Sequence, residues 1–170
     1  PKPLPEFDDV SSVIRQVLFL MRVGHPDIVF VDELPRQAIK ANFDRRLISQ
    51  ALTNIVKNAT EAISAVPIEE RGEGKITVTV DLGTEGMVAI DVIDNGKGFP
   101  VESRQRLLEP YMTTRAGGTG LGLAIVGKIL EEHGGGVELL DRLDGTRGAR
   151  VRLWFPLDDG SSKPNQETGQ

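Results

Sequence analysis

Two glycine-rich clusters constrain this chain more than any other feature: Asp94-Asn95-Gly96-Lys97-Gly98 and, about twenty residues later, Gly118-Thr119-Gly120-Leu121-Gly122-Leu123. The first follows residues 87–93, Met-Val-Ala-Ile-Asp-Val-Ile, apolar and β-branched enough to form a buried strand that delivers Asp94 to a turn. Gly96 and Gly98 are expected to take positive φ there, leaving a carboxylate that can accept a hydrogen bond from an exocyclic amine such as that of adenine. The second cluster opens a helix with apolar residues at Leu121, Leu123, Ala124, Ile125, Val126, Ile129 and Leu130. The unpaired N–H groups and positive dipole end of such a helix suit phosphate. The two loops thus read as a nucleotide pocket, with the base at one and the phosphates at the other.

Composition removes several alternatives. A chain of 170 residues with 39% hydrophobic content buries the core of one domain and needs no second. A net charge of −5 argues against a nucleic-acid groove, which needs Lys and Arg concentrated on one face. The absence of cysteine removes disulfides, thiolate catalysis and cysteine-bound zinc or iron–sulfur clusters, and suits the cytoplasm. No apolar run approaches the roughly 20 residues of a membrane span and no signal peptide opens the chain, so no membrane contact is expected of it.

Read in order, residues 1–9 begin Pro-Lys-Pro-Leu-Pro and look like a linker from something upstream. Residues 10–22 have helical spacing, with Asp8 or Asp9 as N-cap and Gly24 past the end. Residues 28–31 and 38–41 read as two strands paired at a sheet edge. From Asp44 a long helix runs towards Pro67, and the spacings of four and three put Asn54, Asn58 and Glu61 in one line beside its apolar stripe. An Asn amide oxygen is a neutral hard ligand suited to Mg²⁺, which keeps several waters and shares its remaining positions with phosphates. Residues 69–74 form a charged loop, and residues 75–82 alternate as a half-buried strand that turns at Gly83-Thr84-Glu85-Gly86 into the Asp94 strand, an antiparallel hairpin. Residues 99–117, anchored only by Leu107, Leu108, Tyr111 and Met112, read as a lid. Residues 137–140 and 149–155 are closing strands joined by a turn at 144–148, and residues 158–170 have nothing to bury and read as a disordered tail.

Asn54-Ile55-Val56-Lys57-Asn58-Ala59, Asp94-Asn95-Gly96-Lys97-Gly98, Glu109-Pro110-Tyr111-Met112-Thr113-Thr114-Arg115 and Gly118-Thr119-Gly120-Leu121-Gly122-Leu123 occur in this order and resemble the N, G1, F and G2 boxes of the catalytic, ATP-binding domain of sensor histidine kinases, within the gyrase, Hsp90, histidine kinase and MutL (GHKL) superfamily. Any one glycine motif is weak, whereas the four together are specific, and the likeness covers residues 10–157. The lid and the helix after it look most like the nitrogen-regulation kinases of the NtrY and NtrB type. The resemblance implies an α+β fold: a two-layer α/β sandwich, the Bergerat ATP-binding fold, with a mixed sheet of about five strands and three helices on one face. It further implies ATP and Mg²⁺ as cofactors. Carried over by position, Asn58 would ligate Mg²⁺, Asn54 would line the phosphate site, and Asp94 would bind the adenine amine between Gly96 and Gly98. Thr114 and Arg115 would contact the nucleotide from the lid, Arg115 at the terminal phosphates, and Gly118, Gly120, Leu121 and Gly122 would let the lid meet the triphosphate. Implied partners are a dimerisation domain bearing the phospho-acceptor histidine and a response regulator receiver domain, in a parent protein anchored in the inner membrane by other segments. The chain departs from the family pattern at Glu61, where a basic residue is common, at Leu108 and Tyr111, where a phenylalanine often anchors the lid, and at Ala149, where a threonine often stands.

Three functions compete. ATP-hydrolysing members of the superfamily carry Glu four residues before the metal-binding Asn, as a general base, whereas this chain carries Asn54. An amide cannot accept a proton at neutral pH, so the position favours an acceptor that brings its own nucleophile, such as imidazole. His25 and His133 sit at a turn and a helix end, and neither has the setting of a phospho-acceptor. The kinase reading therefore requires a separate acceptor domain. A nucleotide-sensing module without turnover is the third reading, disfavoured by the intact Asn58, Asp94 and glycine cluster.

Overall fold

The computed structural model describes residues 2–82, 86–102, 104–110 and 122–157. Its centre is a five-stranded mixed sheet, in the order β2-β4-β5-β7-β6, formed by β2 (Ile28–Glu33), β4 (Gly74–Asp81), β5 (Met87–Asp94), β7 (Ala149–Pro156) and β6 (Gly136–Leu140). Only β2 and β4 run parallel; the other neighbours are antiparallel, and β4 and β5 form the expected hairpin. Alternation decides which face is covered. In β7, Ala149, Val151, Leu153 and Phe155 are buried while Arg150, Arg152 and Trp154 lie half-exposed on the other side.

The covered face packs against α1 (Val10–Gly24), α2 (Arg45–Ser64) and α4 (Gly122–Glu132). Each apolar stripe follows the helical period: Val10, Val13, Ile14, Val17 and Leu18 from α1, Leu47, Ile48, Ala51, Leu52, Ile55, Val56, Ala59 and Ile63 from α2, and Val126, Ile129 and Leu130 from α4 join one core with the inner strand residues. Asp9 is the N-cap of α1, accepting from the Ser11 N–H at 3.0 Å, and Asp44 caps α2 through Leu47 N–H at 3.2 Å, each contributing about 1 kcal/mol. The α+β fold, with its single mixed sheet and layer of three helices, is that expected from the sequence.

Four details differ. Residues 6–9, read as linker, form β1 (Glu6–Asp9), antiparallel to β3 (Lys40–Phe43) in a separate two-stranded sheet. The strand expected at 38–41 is therefore shifted towards Asp44 and does not join the edge of the main sheet. Long-range polar contacts outweigh the proline-rich composition here: Leu4 N–H donates to Asp44 Oδ2 at 2.9 Å and Arg45 pairs with Asp8 at 3.0 Å. Gly24 ends α1 from inside rather than beyond it, and His25 is the cap. The loop expected at 69–74 contains one helical turn, α3 (Ile68–Arg71), whose Arg71 Nε donates to the carbonyls of Ile63 and Val66, a cation set on the end of α2 where the dipole favours it. No helix among the described residues is long and apolar enough to cross a membrane. The tail, residues 158–170, lies outside the described residues.

Candidate nucleotide-binding site

The site lies where the C-terminal end of β5 meets α2. Asp94, the last residue of β5, is 3% exposed, and its Oδ1 accepts the Gly96 N–H at 2.8 Å. Burial pushes its carboxyl up to about 6, opposed by the N–H groups of Gly96 and Ala149 and by the charge of Arg142. Such a group is an acceptor held out of water with its neighbours supplied mainly by main-chain amides, suited to meet a donor arriving on a ligand.

The two glycines expected to take positive φ serve different purposes. Gly98 does so, at φ 77°. Gly96 does not; its requirement is space, because a Cβ there would lie 2.5 Å from the main-chain carbon of Ala62 and 2.7 Å from Ile63 N. Only glycine lets the turn after β5 press onto the last turn of α2, where Lys97 N–H donates to Ala62 O at 3.1 Å. The carboxylate loop and the asparagine helix are thereby fixed to one another. Gly148 closes the other side: its φ is 137° and a Cβ would fall 1.9 Å from Asp94 O, so the chain entering β7 lies directly on the strand end.

Asn54 and Asn58 project from α2 as half-exposed side chains with no hydrogen-bond partner among the described residues, and Glu61 continues the line. One asparagine column with no cluster of three or more His, Cys, Asp or Glu among the described residues is a poor cage for a bare cation. It suits Mg²⁺ that arrives already bound to phosphate, since that ion keeps water and phosphate oxygens for most of its octahedron. Gly122 is the first residue of α4 as described. Thr114, Arg115, Gly118, Gly120 and Leu121 lie outside the described residues, as does most of the second half of the segment 99–117 that the sequence suggests as a lid. Its first half contains a short 3-10 helix (Arg104–Leu108), with Leu107 and Leu108 packed on the core and Arg104 paired to Asp141 at 3.1 Å.

Arg142 was not singled out from sequence. Its Nη1 donates to the main-chain carbonyl of Asp94 at 3.2 Å and its Nη2 pairs with Asp144 at 2.9 Å, which fixes the loop after β6 against the end of β5. It lies 48 residues from Asp94 in a stretch without periodicity, so no local pattern marks it.

Residues 43–159 match the family model described as histidine kinase-, DNA gyrase B-, and HSP90-like ATPase. The nitrogen regulation protein NtrY of Azorhizobium caulinodans is 60% identical over 164 residues, which cover 96% of this chain and 21% of that protein. The chain thus spans about a fifth of the length of that relative. Among solved structures, the catalytic domain of histidine kinase ThkA in a nucleotide-free form superposes with a TM-score of 0.77 at 30% identity, covering 91% of this chain and 96% of that one. ThkA has also been solved in complex with the response regulator protein TrrA, with a TM-score of 0.71 and 28% identity over 91% of this chain and 42% of that one. Full-length ShkA in complex with AMPPNP gives 0.75 at 27% identity, over 89% of this chain and 31% of that one. A buried carboxylate at a strand end, an asparagine column and a glycine-opened helix thus sit on the family's own fold, and the chain belongs to the histidine kinase-, DNA gyrase B- and HSP90-like ATPase family as a domain of the sensor histidine kinase type.

Proposed function

We propose that this domain binds Mg-ATP between α2, α4 and the lid and transfers the γ-phosphoryl group to a histidine on a separate dimerisation domain, for onward transfer to a response regulator. The observation that carries the reading is Asn54, one turn before Asn58 on the same half-exposed line of α2. At the place where a hydrolase needs a base it offers an amide, which cannot take a proton from water. An imidazole acceptor needs no such base.

In this reading Asp94 accepts from the adenine amine, Gly96 and Gly98 shape the base pocket, and Asn54 lines the phosphates. Asn58 would hold Mg²⁺, which supplies charge neutralisation on the phosphate oxygens. Thr114, Arg115, Gly118, Gly120, Leu121 and Gly122 would meet the triphosphate, Arg115 at the group in transfer, because phosphoryl transfer asks mainly for positioning and compensation of charge. Both chain histidines are poor acceptors: His25 caps α1, and both ring nitrogens of His133 are engaged by main chain. The AMPPNP bound to ShkA and the regulator bound to ThkA support the nucleotide and the partner by analogy. The likeness to NtrY supports a role in nitrogen regulation; anchoring of the parent protein in the inner membrane by other segments, with this domain on the cytoplasmic side, belongs to the same proposal.

The test is transfer from γ-labelled ATP to a supplied acceptor domain. Expected is an acid-labile product that rises with acceptor concentration, since an untethered acceptor lacks the effective concentration of a linked one, and that is absent when the acceptor histidine is changed to glutamine. Rapid phosphate release by this chain alone, abolished by Asn58→Ala, would make it a hydrolase.

A further inference from the structure

His133 stands just past the C-terminal end of α4, and the atoms around its ring determine its state. Nδ1 lies 2.8 Å from Ile129 O, which can only accept, so Nδ1 carries a proton. Asp44 N–H donates to Nε2 at 3.1 Å, so Nε2 carries a lone pair. Only the neutral Nδ1–H tautomer satisfies both. The surrounding chain holds the ring in place: Gly134 turns at φ 79°, Gly135 lies so close to Trp154 O that a Cβ would fall 1.7 Å from it, and the ring meets Phe155 edge-on at 6.2 Å. Phe155 in turn packs on Phe43, next to Asp44, at 5.7 Å.

Asp44 is the N-cap of α2, its carboxylate already committed to the N–H groups of Leu4 and Leu47. His133 therefore bonds the far end of the glycine-opened helix to the start of the asparagine helix. We infer that His133 is a positioning residue which, as its neutral Nδ1–H tautomer, fixes the tilt of α4 relative to α2 and so the place of the α4 N-terminus relative to Asn54 and Asn58. The lever is long. An 11-residue helix spans about 16 Å, so a tilt of about 4° about His133 displaces Gly122 by about 1 Å, enough to weaken contacts to phosphate. The inference rests on the reading of α4 as the phosphate-binding helix.

Two side chains separate the tie between helices from local capping. In His133→Gln the side-chain oxygen reaches the Nε2 position and can accept from Asp44, while His133→Asn places its amide near Nδ1 and keeps only the Ile129 contact. Calorimetry with Mg-ATP and with adenosine is run on the intact chain and both variants, and long-range nitrogen–proton NMR correlation on the ¹⁵N-labelled wild type reads the tautomer. The expected result is a protonated Nδ1 and an unprotonated Nε2, Mg-ATP affinity about fivefold weaker in H133N and within about twofold of wild type in H133Q, and adenosine affinity unchanged, since adenosine reaches Asp94 but carries no phosphate. An Nε2–H tautomer, equal weakening in the two variants, or equal loss of adenosine and ATP binding overturns the inference. If H133N does not fold, the tautomer and H133Q decide it. A wild type that binds neither ligand sinks the proposed function and the inference that rests on it, whereas an Nε2–H tautomer in a chain that binds Mg-ATP sinks the role of His133 alone.

Discussion

Strand β5 carries two buried aspartates three residues apart, and their surroundings are opposite. The odd spacing puts Asp91 on the open face of the sheet and Asp94 on the helix face. Asp91 is saturated: Arg152 grips it through Nε at 2.8 Å and Nη2 at 3.0 Å, and Arg150 approaches at 3.3 Å. It braces β5 against β7, and the bidentate contact holds Arg152 charged. Asp94 has the same side chain and similar burial, yet main-chain N–H groups serve it and burial raises its pKa to about 6. On the proposed function, what distinguishes the bracing carboxylate from the nucleotide-binding one is whether the protein completes its coordination or leaves that to a ligand.

Exchanging each aspartate for asparagine sharpens the contrast. The largest expected effect is on nucleotide binding: Asp94→Asn removes a charge-assisted acceptor and should weaken Mg-ATP about ten- to a hundredfold in calorimetry. Asp91→Asn should leave that affinity within about twofold and lower stability by about 2 kcal/mol in denaturant titration, the cost of leaving two arginines without their partner, discounted because Arg152 is partly exposed. A loss of ATP affinity in D91N as large as that in D94N would erase the distinction.

Proton linkage gives the next effect. A folded pKa of about 6 lies above the 3.8 of a free aspartate, so the protonated Asp94 favours the fold. That contribution is present in full below pH 3.8 and is lost as pH rises through about 6, at a cost of about 3 kcal/mol once ionised. The apo domain should therefore gain up to that amount from Asp94→Asn at pH 7.5 and little at pH 4, read as a difference in unfolding free energy. Affinity for Mg-ATP should run the other way, falling about tenfold from pH 7.5 to pH 5 in wild type and not in D94N. The smallest effect is local: Gly98→Ala, at positive φ, should cost about 1 kcal/mol of stability with a few-fold loss of ATP affinity.

The fold was legible where periodicity was strong. The core stripes of α1, α2 and α4 and the alternation in β4 and β7 lie where the apolar spacing puts them, because each needs only its own neighbours to be read. The Glu6–Asp9 strand was hidden because what orders it, Asp44 and Arg45, lies more than thirty residues away. In the site, Asp94 and the asparagine column could be read from local motifs. The close approach at Gly96, the packing of Gly148 on Asp94 and the reach of Arg142 depend on how β5, α2 and the chain before β7 meet, which no short window of sequence contains.

The most direct test of the account is calorimetric titration of Mg-ATP into the intact chain beside D94N and D91N at pH 7.5. The account predicts binding by wild type and D91N with similar affinity and a ten- to hundredfold loss in D94N, which nonetheless unfolds at higher denaturant than wild type. Undiminished ATP binding by D94N, or a D94N domain less stable than wild type, would contradict the assignment of Asp94 as a carboxylate kept for the nucleotide base.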